Sequence, residues 1–228
     1  MQQRTDLAAG MREIAPLAFG VAVYGLAFGL LAAQAQMSGL QTGVMGALVF
    51  AGSSQMVAVE RLTAGAGAGA AVIAGLALNL RLLLVTASLR DTLAARPWWQ
   101  TALGLHLATD ENWALLHAQR AAGRAAGYWY LAGAGLILAA AWVVSTVAGA
   151  TLASAMPESQ AMGVDFAFSA AFIFMLRALW AGRSSLLPWM VSAGITAVAV
   201  LLTPLDPAFA LVLGGAGGAA AAGASRHG

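Results

Sequence analysis

Apolar residues fill the chain in long runs separated by short polar breaks, and the runs are too long for strands. The first covers about 14–33, behind a polar start (1–13) that holds Arg4, Asp6, Arg12 and Glu13. Further runs lie at about 42–59, 69–89, 98–116, 128–154, 165–181, 186–202 and 208–222. A bilayer core is crossed by about 20 helical residues or by a barrel strand of roughly 9–11, so runs of this length predict helices. Pro97, Pro157, Pro188, Pro204 and Pro207 punctuate the connections, which are short. The predicted fold is all-α: a single integral membrane domain over 1–228, a polytopic transmembrane bundle of about six to eight segments, some broken or re-entrant.

Two runs depart from the pattern. The second is interrupted by Ala51-Gly52-Ser53-Ser54-Gln55, and the fourth, the least hydrophobic, carries His106, Asp110, Glu111 and Asn112. The first run competes with a signal peptide, since Ala33-Gln34-Ala35 resembles a cleavage site. It is nearer twenty residues than the roughly 7–15 of a signal core, which favours a retained helix. No internal repeat is evident along the chain, and the Gly/Ala-rich end (214–228) is low-complexity and carries no predicted site.

Composition narrows the class. Of 228 residues, 61% are hydrophobic and only 9% charged, against roughly 25% charged in a soluble domain. Nine acids and eleven bases cannot solvate a globule of this size, which excludes a water-soluble enzyme. Cysteine is absent, so disulfides, thiol catalysis and thiolate metal sites are excluded too. All eleven bases are scattered arginines, which mark orientation and not a nucleic-acid surface. With eight crossings, Arg61, Arg120, Arg124, Arg183 and Arg226 would lie inside, and Arg90 and Arg96 outside. With runs two and four broken or re-entrant, Arg90 and Arg96 move inside and Arg61 alone faces out. Both arrangements place both termini in the cytoplasm.

Charge at membrane depth needs a reason, because an ionisable group there costs at least about 2.5–3.5 kcal/mol. Arg81, Asp110 and Glu111 each sit about twelve residues into a run. Arg81 pairing with one acid would leave the other carboxyl for a proton or a substrate ammonium; a closed polar cluster that sets packing is the alternative. On a continuous fourth helix His106, Asp110 and His117 would share one face, but their spacing matches no metal signature, and no metal or cofactor is expected. Gly52, Ser53, Ser54 and Gln55 predict a half-helix beginning near Ser53, its positive end aimed into the bundle at a substrate carboxylate; a continuous helix with back-bonded serines is the alternative. Asp165 opens the sixth run, where a helix cap is a sufficient role. Trp98, Trp99, Trp129, Tyr130 and Trp189 read as interfacial anchors.

In this order, Tyr24-Gly25-Leu26-Ala27-Phe28-Gly29, Phe50-Ala51-Gly52-Ser53-Ser54-Gln55, Asn79-Leu80-Arg81, Thr109-Asp110-Glu111 and Gly163-Val164-Asp165-Phe166-Ala167 resemble the AzlC family, large subunits of bacterial branched-chain amino acid exporters. The resemblance spans about 11–222. Leu82 and Ser169 depart from it, standing where the family commonly has His and Pro. It implies a secondary exporter of hydrophobic amino acids in the bacterial inner membrane, with a small AzlD-type membrane protein as partner. Gly52, Ser53, Ser54, Gln55, Asn79 and Arg81 would then bind substrate, while His106, Asp110 and Glu111 would carry protons or meet the ammonium. No Walker-type loop is present, which points to a proton gradient as the drive. A membrane-embedded enzyme using His106, Asp110 and Glu111, or a structural subunit, are the competing functions.

Overall fold

The computed structural model describes residues 2–155, 180, 182–205 and 207–224. The described residues are helical and no strand occurs among them. The helices are α1 (Gln2–Gln34), α2 (Gly39–Val49), α3 (Gly52–Thr63), α4 (Gly67–Ser88), the single turn α5 (Arg90–Leu93), α6 (Trp98–His106), α7 (Asp110–Ala121), α8 (Tyr128–Ala155), α9 (Leu186–Leu202) and α10 (Pro207–Ala224). Among the described residues, three stretches are long and apolar enough to cross a membrane: α1, α8 and Arg183–Leu202, the last including a 3-10 turn ahead of α9. The expectation of a helical membrane bundle holds. The sixth run, with Asp165 and Ser169, lies outside the described residues.

The core is a seam between α1 and α8. Gly10 lies against Tyr130, Gly25 against Ser145 and Gly29 against Gly149, so the numbering rises together and the two helices run parallel. A methyl group at Gly29 would strike the backbone of Thr146 and Ala150, and one at Gly149 would strike Leu26 and Gly29. In lipid, where burial of apolar area does not drive helices together, such backbone approach is what holds them. The polar start is part of this seam: α1 begins at Gln2, and Leu7 packs on Gly133. The low-complexity stretch is likewise helical as far as Ala224, with Gly214 and Gly218 of α10 set against Ser192 of α9.

Runs two and four are both broken, and each forms a hairpin that returns to the side it entered from. At the α1 start, Glu13 accepts hydrogen bonds from Tyr130 and Gln119, both at 2.7 Å, and Arg120 donates to Thr92 at 2.8 Å. The Arg96 guanidinium lies 5.0 Å above the Tyr128 ring. The connections holding Arg90, Arg96, Arg120 and Arg124 therefore lie at one end, which we call the arginine end. Helix α6 leaves it, reaches Gly135 of α8 with Leu107, and α7 comes back to Glu13. From the opposite end α2 runs antiparallel to α8, with Gly39 against Thr151 and Gly46 against Thr146. It stops at Phe50. Helix α3 turns back, since α4 ends at the arginine end and its Gly75, two turns farther out than Leu82, faces Ser54 and Ala58 of α3. Eight full crossings are thus excluded, because Arg90 and Arg96 share an end with Arg120 and Arg124.

The described part accordingly holds an inverted pair: a long helix and hairpin (α1, then α2–α3), followed by the same arrangement upside down (α4, then α6–α7). The tips are alike in plan, Phe50-Ala51-Gly52-Ser53-Ser54-Gln55 and Leu107-Ala108-Thr109-Asp110-Glu111-Asn112, with the helix restarting after Ala51 in one and after Thr109 in the other. Each tip ends in a buried amide, Gln55 at 1% and Asn112 at 0% exposure. Gln55 Oε1 accepts from Ala51 N–H at 3.3 Å and from Trp142 Nε1 of α8 at 3.1 Å. Asn112 Oδ1 accepts from Thr109 N–H at 2.8 Å, and Nδ2 donates to Leu107 O at 2.7 Å and Leu131 O of α8 at 3.4 Å. These side chains supply the partners that a broken helix leaves wanting.

Two stability outcomes follow. Gly149→Val forces the α1–α8 seam apart and lowers stability by at least the ~1–3 kcal/mol of an overpacked core, while Gly69→Ala, with nothing within 4 Å, leaves it unchanged or slightly higher. Asn112→Leu strands the carbonyl of Leu107 and the N–H of Thr109, costing about 1–3 kcal/mol for each group left buried and unpaired. Thermal unfolding in detergent measures all three; an intact midpoint for Gly149→Val or Asn112→Leu would contradict the seam or the tip as described.

Candidate functional site

A cavity of about 420 Å³ lies where the two hairpin tips meet, within the roughly 300–1,000 Å³ typical of small-molecule sites. Its polar rim comes from both tips: Gly52 and Ser53 at the start of α3, and Thr109, Asp110 and Glu111 at the start of α7. The rest is apolar, with Leu17 and Val21 of α1, Leu82 of α4, Leu115 of α7, and Leu138 and Trp142 of α8. Among the described lining residues, those nearer the arginine end (Pro16, Ala114, Ala118) are exposed. Those deeper in (Tyr24, Phe50, Leu138, Trp142) are buried.

The tips differ in charge although they correspond in shape. A helix start carries about half a positive charge. Helix α7 places Asp110 and Glu111 in its first turn, whereas α3 has no acid in its first turn, so only the α3 start presents its backbone N–H groups with no carboxylate in that turn. Thr109 caps α7 through Asn112, and Ala51 precedes α3 with no side-chain cap of its own. One side of the cavity therefore suits an anion and the other a cation, with an apolar wall between them.

Several predicted residues converge here and others do not. Gly52, Ser53, Asp110 and Glu111 line one cavity, and the half-helix expected near Ser53 starts at Gly52. Ser54 and Gln55 sit behind the tip. Ser54 Oγ donates to Ala51 O at 2.8 Å, so these two brace the break without lining the cavity. Asn79 lies on α4 between Gly75 and Leu82 at helical spacing, the stripe that runs from α3 to the cavity. Its buried Oδ1 has no partner among the described residues. Arg81 belongs to α4, but its side chain is outside the described residues, as is Asp165.

The shared face expected for His106, Asp110 and His117 is not formed. The helix ends at His106 and restarts at Asp110, because Thr109 and Asn112 close a capping box there. His106 instead joins the tips to each other: its Nε2 lies 2.9 Å from Ala47 O, and its ring sits 6.2 Å from that of Phe50. No group of three or more His, Asp or Glu residues able to hold a metal occurs among the described residues.

The roles of four residues escape a reading of the sequence. Thr109 and Asn112, three apart, form a cap pattern inside an apolar run, a usable signal for a helix start. Trp142 stands mid-run, away from the interfacial tryptophans, and Leu82, marked in the sequence only as a departure from the family pattern, lines the cavity. Tyr24 and Trp142, with ring centroids 5.7 Å apart, form the cavity floor, and Phe28 stacks on Trp142 from behind at 5.5 Å.

Comparison with known proteins identifies the family. The family model for AzlC protein matches residues 16–156, which include both hairpins, α4 and α8. The inner membrane protein YgaZ of Escherichia coli (strain K12) is 30% identical over 174 residues, covering 75% of this chain and 69% of that protein. No solved structure matches. The chain is a helical membrane protein and belongs to the AzlC family.

Proposed function

We propose that the chain is a secondary transporter that exports branched-chain or other hydrophobic amino acids across the bacterial inner membrane. The observation that carries this reading is the cavity between two tips of opposite charge. An amino acid is a zwitterion with a side chain, and each part has a counterpart. The positive start of α3 at Gly52 and Ser53 receives the carboxylate. Asp110 or Glu111 receives the ammonium, and the remaining carboxyl exchanges a proton. Leu17, Val21, Leu82, Leu115 and Leu138 surround an aliphatic side chain. Arg81, next to Leu82 in α4, completes the assignment by its place in the family pattern. Gln55 and Ser54 keep a supporting role, holding the α3 start in place.

Orientation follows from the arginines. Arg4, Arg12, Arg90, Arg96, Arg120 and Arg124 gather at one end and Arg61, in the last turn of α3, lies toward the other. The positive-inside rule puts the arginine end, and with it the N-terminus, in the cytoplasm. The exposed mouth at Pro16 and Ala118 then faces the solute to be exported. A small AzlD-type membrane protein is the assigned partner and the proton gradient the assigned drive. The reading gives the chain no catalytic step.

Efflux of preloaded leucine, valine and methionine from cells holding the chain and its partner tests this. Asp110→Asn and Glu111→Gln should each slow efflux about tenfold or more, the equivalent of ~1.4 kcal/mol in one charged contact, and collapsing the pH gradient should do the same to the parent chain. Asp6→Asn, at the far end of α1, should not. Efflux at the parental rate in both cavity variants would overturn the assignment.

A further inference from the structure

We infer that Gln55 and Trp142 form the latch of a gate, holding the α2–α3 hairpin shut across the end of the cavity that faces away from the arginines. The inference rests on the transport reading above but assigns residues that reading leaves in a supporting role.

The cavity floor is built from the α2–α3 tip, Tyr24 and Trp142. Trp142 is 2% exposed, stacks on Phe28 at 18° between planes, and donates its indole N–H to Gln55 Oε1 at 3.1 Å. The same oxygen accepts the Ala51 N–H. One carbonyl thus ties the break in the hairpin to α8, a helix fixed to α1 by the glycine seam. On the cavity side of this tie lie Gly52 and Ser53; on its other side α2 and α3 run out to the opposite end. A solute held at Ser53 can leave that way only if the tip parts from Trp142.

Two features show a tip held under load. Phe50, a bulky residue, has φ 41° and ψ 49°, a left-handed conformation that non-glycine residues adopt only where their surroundings impose it. The remaining amide group of Gln55, Nε2, is buried without a partner among the described residues. Strain and an unsatisfied donor both favour release, and the bonds to Gln55 Oε1 oppose it. A bistable gate needs opposing terms of this kind.

The corresponding amide on the other hairpin sharpens the point. Asn112 makes its short bonds within its own tip and reaches α8 only at 3.4 Å, to Leu131 O. The tie to α8 is the tighter one on the α2–α3 side and the looser on the side where the cavity lining is exposed. The structure is then the state loaded from the arginine end, with the opposite gate latched.

The chain has no cysteine, so a Ser53→Cys variant carries a single reporter. Its labelling by a membrane-impermeant maleimide is measured in intact cells and in inside-out vesicles. Adding Gln55→Met, which keeps the volume and removes the acceptor, or Trp142→Phe, which keeps the ring and removes the donor, should raise labelling from the face opposite the arginine end relative to the other face. The expected change in that ratio is about fivefold, the weight of one hydrogen bond. Trp142→Phe preserves the stacking ring and carries the test by itself if Gln55→Met does not accumulate. An unchanged ratio, or labelling that rises equally from both faces, would overturn the latch. A shifted ratio with no amino-acid efflux by the parent chain would keep the latch and remove the transport reading; efflux by the parent chain with an unshifted ratio would do the reverse.

Discussion

A helix that ends at mid-depth in a membrane exposes N–H and C=O groups where no water is at hand, and such ends survive only where the protein itself supplies partners. Everything particular about this chain depends on meeting that requirement twice. Gln55 and Asn112 reach back over their own breaks to the backbone, the longer glutamine to Ala51 and the shorter asparagine to Thr109. Both also touch α8, at Trp142 and Leu131. A single helix thereby receives both tips and sets how far apart they stand. Without these amides the two hairpins would have to be continuous helices, and the cavity between them would be filled.

Once the tips are fixed, their chemistry follows from the first turn of each returning helix. The first turn of α3 opens with Gly52 and Ser53, and that of α7 with Asp110 and Glu111. The backbone frame is alike, yet one helix start keeps its positive field and the other is overwritten by carboxylates. This is how an inverted pair of elements yields a polar, two-signed site instead of two identical anion sites. The apolar lining between them comes mostly from the spanning helices, so recognition of charge and of side chain are divided between different parts of the fold.

Much of this was legible in the sequence. The length of the apolar runs predicted helices, and polar residues in runs two and four marked the broken segments. Asp110 and Glu111 were identified by the cost of placing charge in lipid, and Gly52 and Ser53 by the break they make in an apolar run. What was not legible was distance along the chain turned into direction. The helical spacing of His106 and Asp110 predicted a shared face, which holds only if no break intervenes; the Thr109–Asn112 cap supplied the break. The inverted pair was invisible for a related reason. Gln55 and Asn112 do the same backbone work at the tips while differing in identity and in their distance from the residue they brace, so the likeness is one of hydrogen bonding and not of letters. Trp142 needed the structure, since an apolar residue in an apolar chain carries no mark, and Leu82 was marked only as a departure from the family pattern.

The glycine seam has a mechanical consequence. Where Gly29 meets Gly149 and Gly10 meets Tyr130, two backbones touch with no side chain between them to act as a bearing. Such a joint cannot slide by a fraction of a turn without collision, and it cannot open without leaving a void that lipid tails are too wide to fill. Helices α1 and α8 are therefore a stator. Any working motion of this protein is confined to the parts that lean on that post through side chains alone, which are the two hairpins.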